Sequence, residues 1–408
     1  MAPPPSPQPP ELMEELVEEI LLRFPPHEPA LLVRAALVCK HWCRLISGPG
    51  FRRRFRELHR TPPMLGFHYR GISDDGRNVG RFVPTAAFRS PRAESRSWRA
   101  LGARHGRNVG RFVPTAAFRS PRAAESRSWR ALDARHGRVL LRCPGEPFGT
   151  DIVLAVWDPI TDEKRKLPLL PRNRSRWGAA ILCSAAGACD HLDCHRGPFL
   201  LVFVGSNLGG TCICTYSSDA AAWSQAISTP GTGDCVDPLM RSALIGNALY
   251  FGLVKKTEAL RYDLESRQMS WVQLPPTYHN FELRVLTTTE DDGLGLVTAH
   301  SNKIYMWSRK AGPPNTGWTQ DRVIELERLL PIDAVLASPD VVGFAEGIGV
   351  IFVTANNVLF TIDLKTCKVK KVCEGRGIRG VVPYMSFYTP ALGAACTDEG
   401  PSAGGSSA

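Results

Sequence analysis

Apolar positions between residues 12 and 46 fall on a helical period. Leu12, Leu16, Ile20 and Phe24 recur every four residues, with Leu21 beside Ile20, which predicts one stripe of an amphipathic helix. Glu14, Glu15, Glu18 and Glu19 take the opposite face near the helix N-terminus, where negative charge suits the dipole. Pro25 and Pro26 stop this helix, and Pro29 opens a second at a position where its missing N–H costs nothing. Leu31, Leu32, Ala35, Ala36, Val38 and Cys39 make a second apolar surface, Trp42, Leu45 and Ile46 a third, and Gly48-Pro49-Gly50 ends the run. In FRRRFRELHR (51–60), Phe51, Phe55 and Leu58 keep helical spacing and predict a fourth short helix with a solvated basic face. Helices this short keep most of their apolar surface wet, so the first stripe needs a partner in the chain or in another protein.

From about residue 138 the texture changes to short β-branched and aromatic runs between turn residues: GRVLLR, DIVLAVWDP, GAAILCSA, PFLLVFVG, TCICTY, NALYFGLV, KIYMW, GIGVIFV and VLFTIDL. No helical period of useful length intervenes. An apolar residue followed by a polar turn recurs at Trp157, Tyr216, Tyr262, Trp307 and Ile362, at spacings of 59, 46, 45 and 55. Within the middle three units a second tryptophan follows, at Trp223, Trp271 and Trp318. A strand, tight turn and outer strand repeating every 40–50 residues is the pattern of a β-propeller blade. One large sandwich or two smaller ones is the alternative. Five turns imply five blades, and PMLGFHYR (63–70) could pair with VVPYMSFYTP (381–390) to close a sixth, leaving no exposed sheet edge.

Leu12, the Glu14–Glu15 pair, Ile20–Leu21, Arg23, the proline pair, Leu31–Leu32, Val38-Cys39-Lys40, Trp42 and Leu45–Ile46 together resemble an F-box. The resemblance covers about 40 residues and departs at Met13, where the family usually has proline. It implies docking onto the Skp-type linker of a cullin–RING ubiquitin ligase, with Leu12, Met13, Leu16, Ile20, Leu21, Leu32, Val38, Cys39 and Trp42 forming or supporting the docking surface. The strand pattern resembles the F-box-associated, kelch-like propellers that follow F-boxes in plants, and RFVPTAAFRSP…SWRALDARHGRVLL looks like the grass-type version. A true kelch double glycine is absent, and GNALYF is the nearest remnant. The expected fold is therefore α+β and multidomain. It comprises a Pro-rich, disordered 1–10, a three-helix F-box module over 11–60, an all-β propeller of about six blades over 61–390, and a disordered tail over 391–408.

The chain of 408 residues carries a net charge of +11, which invites a nucleic-acid reading. A tandem duplication undercuts it. GRNVGRFVPTAAFRSPRAESRSWRALGARHG starting at Gly76 is repeated from Gly106 with one inserted alanine and with Asp133 in place of Gly102. The copy Gly76–His105 holds seven Arg and one Glu, a net +6, so without it the chain carries 11 − 6 = +5. Only the second copy runs straight into a strand, GRVLLR, so most of Gly76–His105 is expected to loop out, with Trp98 less buried than Trp129.

Catalytic chemistry is sought without success. There is no G-x-S-x-G, P-loop, G-x-G-x-x-G or H-E-x-x-H. His105 and His136 are one residue duplicated, and Glu290, Asp291 and Asp292 mark a hairpin turn. CSAAGACDHLDCHRG offers Cys183, Cys189, His191, Cys194 and His195, but its spacing is not the paired C-x2–4-C of structural zinc sites. A surface loop with incidental cysteines and no metal is expected. Scattered cysteines, an N-terminus lacking a basic and an apolar region, and no apolar run of membrane length predict a cytoplasmic or nuclear chain without membrane contact.

Three classes of function follow: a ligase substrate receptor, an enzyme using the propeller channel, or a stand-alone lectin-like or nucleic-acid-binding propeller with merely structural helices. The missing motifs disfavour the enzyme. The expectation is the receptor, with a linker, a cullin and an unknown protein substrate as partners, no nucleic acid and no cofactor.

Overall fold

The computed structural model describes residues 13–72, 76, 78–85, 129–143, 152–159, 163–170, 176–185, 189–191, 194–207, 209–230, 234–255, 257–275, 283–310 and 317–389. The chain divides into two compact units, one helical and one of β-structure.

The helical unit contains α1 (Glu14–Leu22), α2 (Pro29–Ala36), α3 (Lys40–Ser47) and α4 (Pro49–His59). All four helices lie where the pattern places them. The face that packs is different, however. Val17, Leu21 and Leu22 of α1 enter the core with Leu32, Ala35, Ala36, Ile46, Phe51 and Phe55, whereas Leu16 and Ile20 of the four-residue stripe face outward. Apolar residues run around more of α1 than one stripe, and α4 selects the side beginning at Val17. Glu18, expected on the wet face, is buried in an ion pair with Arg54 of α4. The His59 imidazole donates to the Leu22 carbonyl at 2.9 Å, tying the end of α4 to the end of α1. Phe387, far away in sequence, completes this core by packing edge-on against Phe55 at 6.2 Å.

The β unit is a propeller of six blades, each a separate antiparallel sheet. Blade one comprises β3 (Arg130–Arg135), β4 (Arg138–Cys143), β5 (Val153–Trp157) and β6 (Lys164–Lys166). Blade two comprises β7 (Arg176–Cys183), β8 (Phe199–Asn207), β9 (Gly210–Ser217) and β10 (Ala222–Trp223), with β11 (Ile227–Pro230) added to β9. Blades three and four are β12 (Ala243–Ile245) to β15 (Met269–Gln273) and β16 (Arg284–Thr288) to β19 (Thr319–Glu325). Blade five runs from β20 (Asp340–Ala345) to β23 (Val369–Glu374). Between blades four and five lies a short helix, α5 (Ile332–Leu336), which no periodicity announced.

The sixth blade uses both ends of the unit. Here β1 (Met64–Ile72) pairs with β24 (Arg376–Met385), matching Phe67 to Pro383 and His68 to Val382. Joining the first and last strands closes the ring and removes its open edges. The recurrent Trp157, Tyr216, Tyr262, Trp307 and Ile362 fall on the third strand of the other five blades. Three of their polar turns share one closure: the amides of Asp158, Asp263 and Asp363 donate to the carbonyls of Glu163, Gln268 and Lys368, each at 3.0 Å. The Asp263 and Asp363 carboxylates also accept from amides two and three residues on, an Asx turn. The recurrent tryptophans join neighbouring blades. The Trp223 indole donates to the Pro168 carbonyl at 3.0 Å, and that of Trp318 to the Gln273 carbonyl at 2.7 Å.

The described start of the first copy departs from the expected loop, while the second copy enters a strand as expected. Residues Asn78–Pro84 of the first copy form β2, paired with β1 over its length, while the second copy supplies β3. Five residues separate β1 from β2. A hairpin partner this near closes at lower entropic cost than the same sequence thirty residues on. Gly80 of the first copy then meets the second: a Cβ there would lie 2.0 Å from the Trp129 carbonyl oxygen, so only glycine permits the approach. Trp129 is half-buried. Trp98, both termini and residues 86–128 lie outside the described residues.

Candidate functional site

The outward side of α1 and the α2–α3 junction form an apolar face on the helical unit. Met13 is 65% exposed, Leu16 47%, Ile20 53% and Val38 65%, and exposed Leu37 adds to them. Leu37 was missed because it falls at the end of α2, outside any stripe. Cys39 is exposed and caps α3, its sulfur accepting the Trp42 amide at 3.4 Å. That cap fixes Trp42, half-buried against the core. Leu21 and Leu32 are fully buried. They support the face from behind and present no surface themselves. Leu12 lies outside the described residues. Glu14 and His41 face each other at 3.8 Å between α1 and α3.

The propeller carries a second candidate. A cavity among its first strands is lined by Arg70, Arg241, Arg284 and Arg379 with Phe344 and Val381. Gly380 has φ of +59° and lies where a Cβ would be 2.9 Å from the Leu239 carbonyl, so a side chain there would push the wall apart. Burial, and then the neighbouring Arg130 and Arg142, lower the Arg70 guanidinium to about 10. Its Nη1 donates to the Pro238 carbonyl at 2.7 Å. The cavity's arginines have partners of their own: Arg241 also lies 3.9 Å from the Glu346 carboxylate.

Beside it, Asp133 is wholly buried on β3. It accepts from the amides of Ala134 (2.9 Å) and Ile181 (3.0 Å), from Arg241 Nε (2.8 Å) and from Arg135. Arg135 also donates to the Ser242 carbonyl. One carboxylate therefore ties blade one to blade two and to the segment entering blade three. Among the described residues its partners are guanidinium groups and backbone amides. The sequence comparison of the two copies contained the signal, since Asp133 replaces Gly102.

The cysteine loop departs from its expected reading. Cys183, Cys189, His191 and Cys194 offer ligand atoms that all lie within 4.8 Å of one another. Linear spacing misses this because Cys183 ends β7 while Cys194 opens a short 3-10 turn folded back against it.

A family model of the F-box domain matches residues 10–54. That of the F-box protein AT5G49610-like, beta-propeller family matches residues 130–392. No curated protein matches. Solved structures share low identity. A protein from Lactobacillus plantarum is 9% identical with a TM-score of 0.42, over 77% of this chain and 83% of that one. TolB from Acinetobacter baumannii is 10% identical with a TM-score of 0.43, over 81% and 69%. The WD40 domain of SCAP from fission yeast is 11% identical with a TM-score of 0.35, over 60% and 55%. With an F-box ahead of six blades, and with the propeller family's model spanning the described strands from β3 to β24, this chain belongs to the F-box protein AT5G49610-like, beta-propeller family.

Proposed function

We propose that this chain is the substrate-receptor subunit of an SCF-type cullin–RING ubiquitin ligase. Its F-box docks on a Skp-type linker and through it on a cullin, and its propeller holds a protein substrate. The observation carrying this reading is the apolar face of Met13, Leu16, Ile20, Leu37 and Val38. It lies on a unit whose core is already filled by Val17, Leu21, Leu32, Phe51 and Phe55. Contiguous exposed apolar surface on a small module is the usual mark of a binding face.

The chain acts as an adaptor and not as an enzyme. It raises the substrate's effective concentration beside the ubiquitin-charged partner. Co-purification of the full chain with a Skp-type linker tests the reading. Loss of the linker from Leu16→Ala/Ile20→Ala supports it, and undiminished capture of the linker by that variant defeats it.

A further inference from the structure

The geometry points to a structural zinc site formed by Cys183, Cys189, His191 and Cys194 in the loop between β7 and β8. Among the described residues this is the one cluster of three or more potential metal ligands. Three thiolates and one imidazole make a Cys3His donor set, one of the closed tetrahedral sets that zinc takes in structural sites. Zn–S bonds of about 2.3 Å and a Zn–N bond of about 2.0–2.1 Å at the tetrahedral angle put sulfur and nitrogen about 3.6 Å apart. Cys194 Sγ and His191 Nδ1 lie 3.6 Å apart. Sulfurs on one zinc lie about 3.8 Å apart, so the widest separation of 4.8 Å closes by side-chain rotation. Cys189 and His191 are not fully buried and have room to rotate.

The surroundings fit a metal centre. The His191 amide donates to Cys189 Sγ at 3.4 Å, a bond that favours the thiolate form. The His136 ring lies against that of His191, centroids 4.1 Å apart, and orients it. Three thiolates around Zn2+ leave one net negative charge. The Arg138 guanidinium supplies the compensating cation, donating to the carbonyls of Cys194 (2.5 Å) and Gly197. Binding releases three thiol protons to solvent while His191 gives a lone pair. The metal then closes the blade-two loop on itself, and the His136 ring of blade one packs against its histidine ligand.

The test is zinc analysis of the full chain, purified with reductant and without chelator and then equilibrated with Zn2+ and desalted. About one zinc per chain is expected, falling to background in Cys189→Ser and Cys194→Ser. Zinc at background in the wild type, or undiminished in the Cys189→Ser/Cys194→Ser variant, overturns the site. Should these variants fold poorly, Co2+ titration of the wild type decides. An intense tetrahedral thiolate–cobalt spectrum supports the site, and a pale octahedral spectrum or none overturns it. Linker binding tests a different part of the chain, so failure of either proposal leaves the other readable.

Discussion

The helical unit and the propeller break the rule of apolar inside and polar outside in opposite directions. On α1, Leu16 and Ile20 stay wet although Leu21, one position on, is fully buried. In the propeller, Asp133, Arg135 and Arg284 are buried among strands that are otherwise apolar. An exposed leucine costs folding almost nothing, and its benefit appears only when a partner covers it. A buried carboxylate is costly unless every lone pair is met, and it therefore holds its neighbours in one arrangement. On the proposed reading, the first region keeps its apolar surface for a partner, while the second holds its own register.

The largest expected effect lies in the propeller. Asp133→Gly, which copies the residue of the duplicate, leaves Arg135 and Arg241 without their carboxylate and the Ile181 amide without an acceptor. Breaking a buried pair from one side costs about 3–5 kcal/mol. Chemical denaturation should report that loss, and a change under about 1 kcal/mol would show that the network carries no register.

On the helices the comparison can be made within one helix. Leu16→Ala/Ile20→Ala should weaken linker binding by roughly a thousandfold, at about 2 kcal/mol per residue. Each change should leave stability within about 0.5 kcal/mol. Leu21→Ala should do the reverse at first hand, unfolding the module by about 2–5 kcal/mol. Equal stability losses at both kinds of position would erase the distinction between face and core.

A smaller effect is read by pH. His68 on β1 is half-buried, but its ring lies against Phe82 and Trp157 with Nε2 shielded from solvent, and this desolvation lowers its imidazole to about 3 from an ordinary 6.5. The unfolded chain then binds the proton more readily than the folded one. Stability contributed by neutral His68 is complete above pH 6.5 and is lost as pH falls toward 3. The slope approaches about 1.4 kcal/mol per pH unit. Denaturation of His68→Phe between pH 6 and 4 should lack that share of the slope.

The smallest expected effect is that of deleting Gly76–His105. The second copy carries the same NVGRFVP segment, which can move into the place of β2, and Asp133 is retained. Melting temperature and linker binding should hardly change while net charge falls from +11 to +5. Unfolding on deletion would mean that both copies are needed.

Much of the architecture was legible because it is local. Proline and glycine punctuation bounded the four helices, and the recurrent turn after Trp157, Tyr216, Tyr262, Trp307 and Ile362 marked five third strands. The closing pair of β1 and β24 was also legible, since an unpaired strand at each end of a ring has one use. Of the residues named as forming or supporting the docking surface, Met13, Leu16, Ile20 and Val38 are exposed, while Leu21 and Leu32 turn inward, a division that spacing alone does not make.

By itself, then, the sequence determined where elements begin and end and how often they repeat, because capping, turn chemistry and hydrophobic period act between residues a few positions apart. The tertiary structure alone decided which apolar side of α1 is covered, since that depends on where α4 lies. It decided that the first copy of the repeat supplies β2, a choice between two identical NVGRFVP strings that only proximity to β1 could settle. It also brought Phe387 into the helical core, Asp133 to Arg241, and Cys183 to Cys194. Those contacts join residues that no spacing rule links, because what places them together is the packing of whole elements.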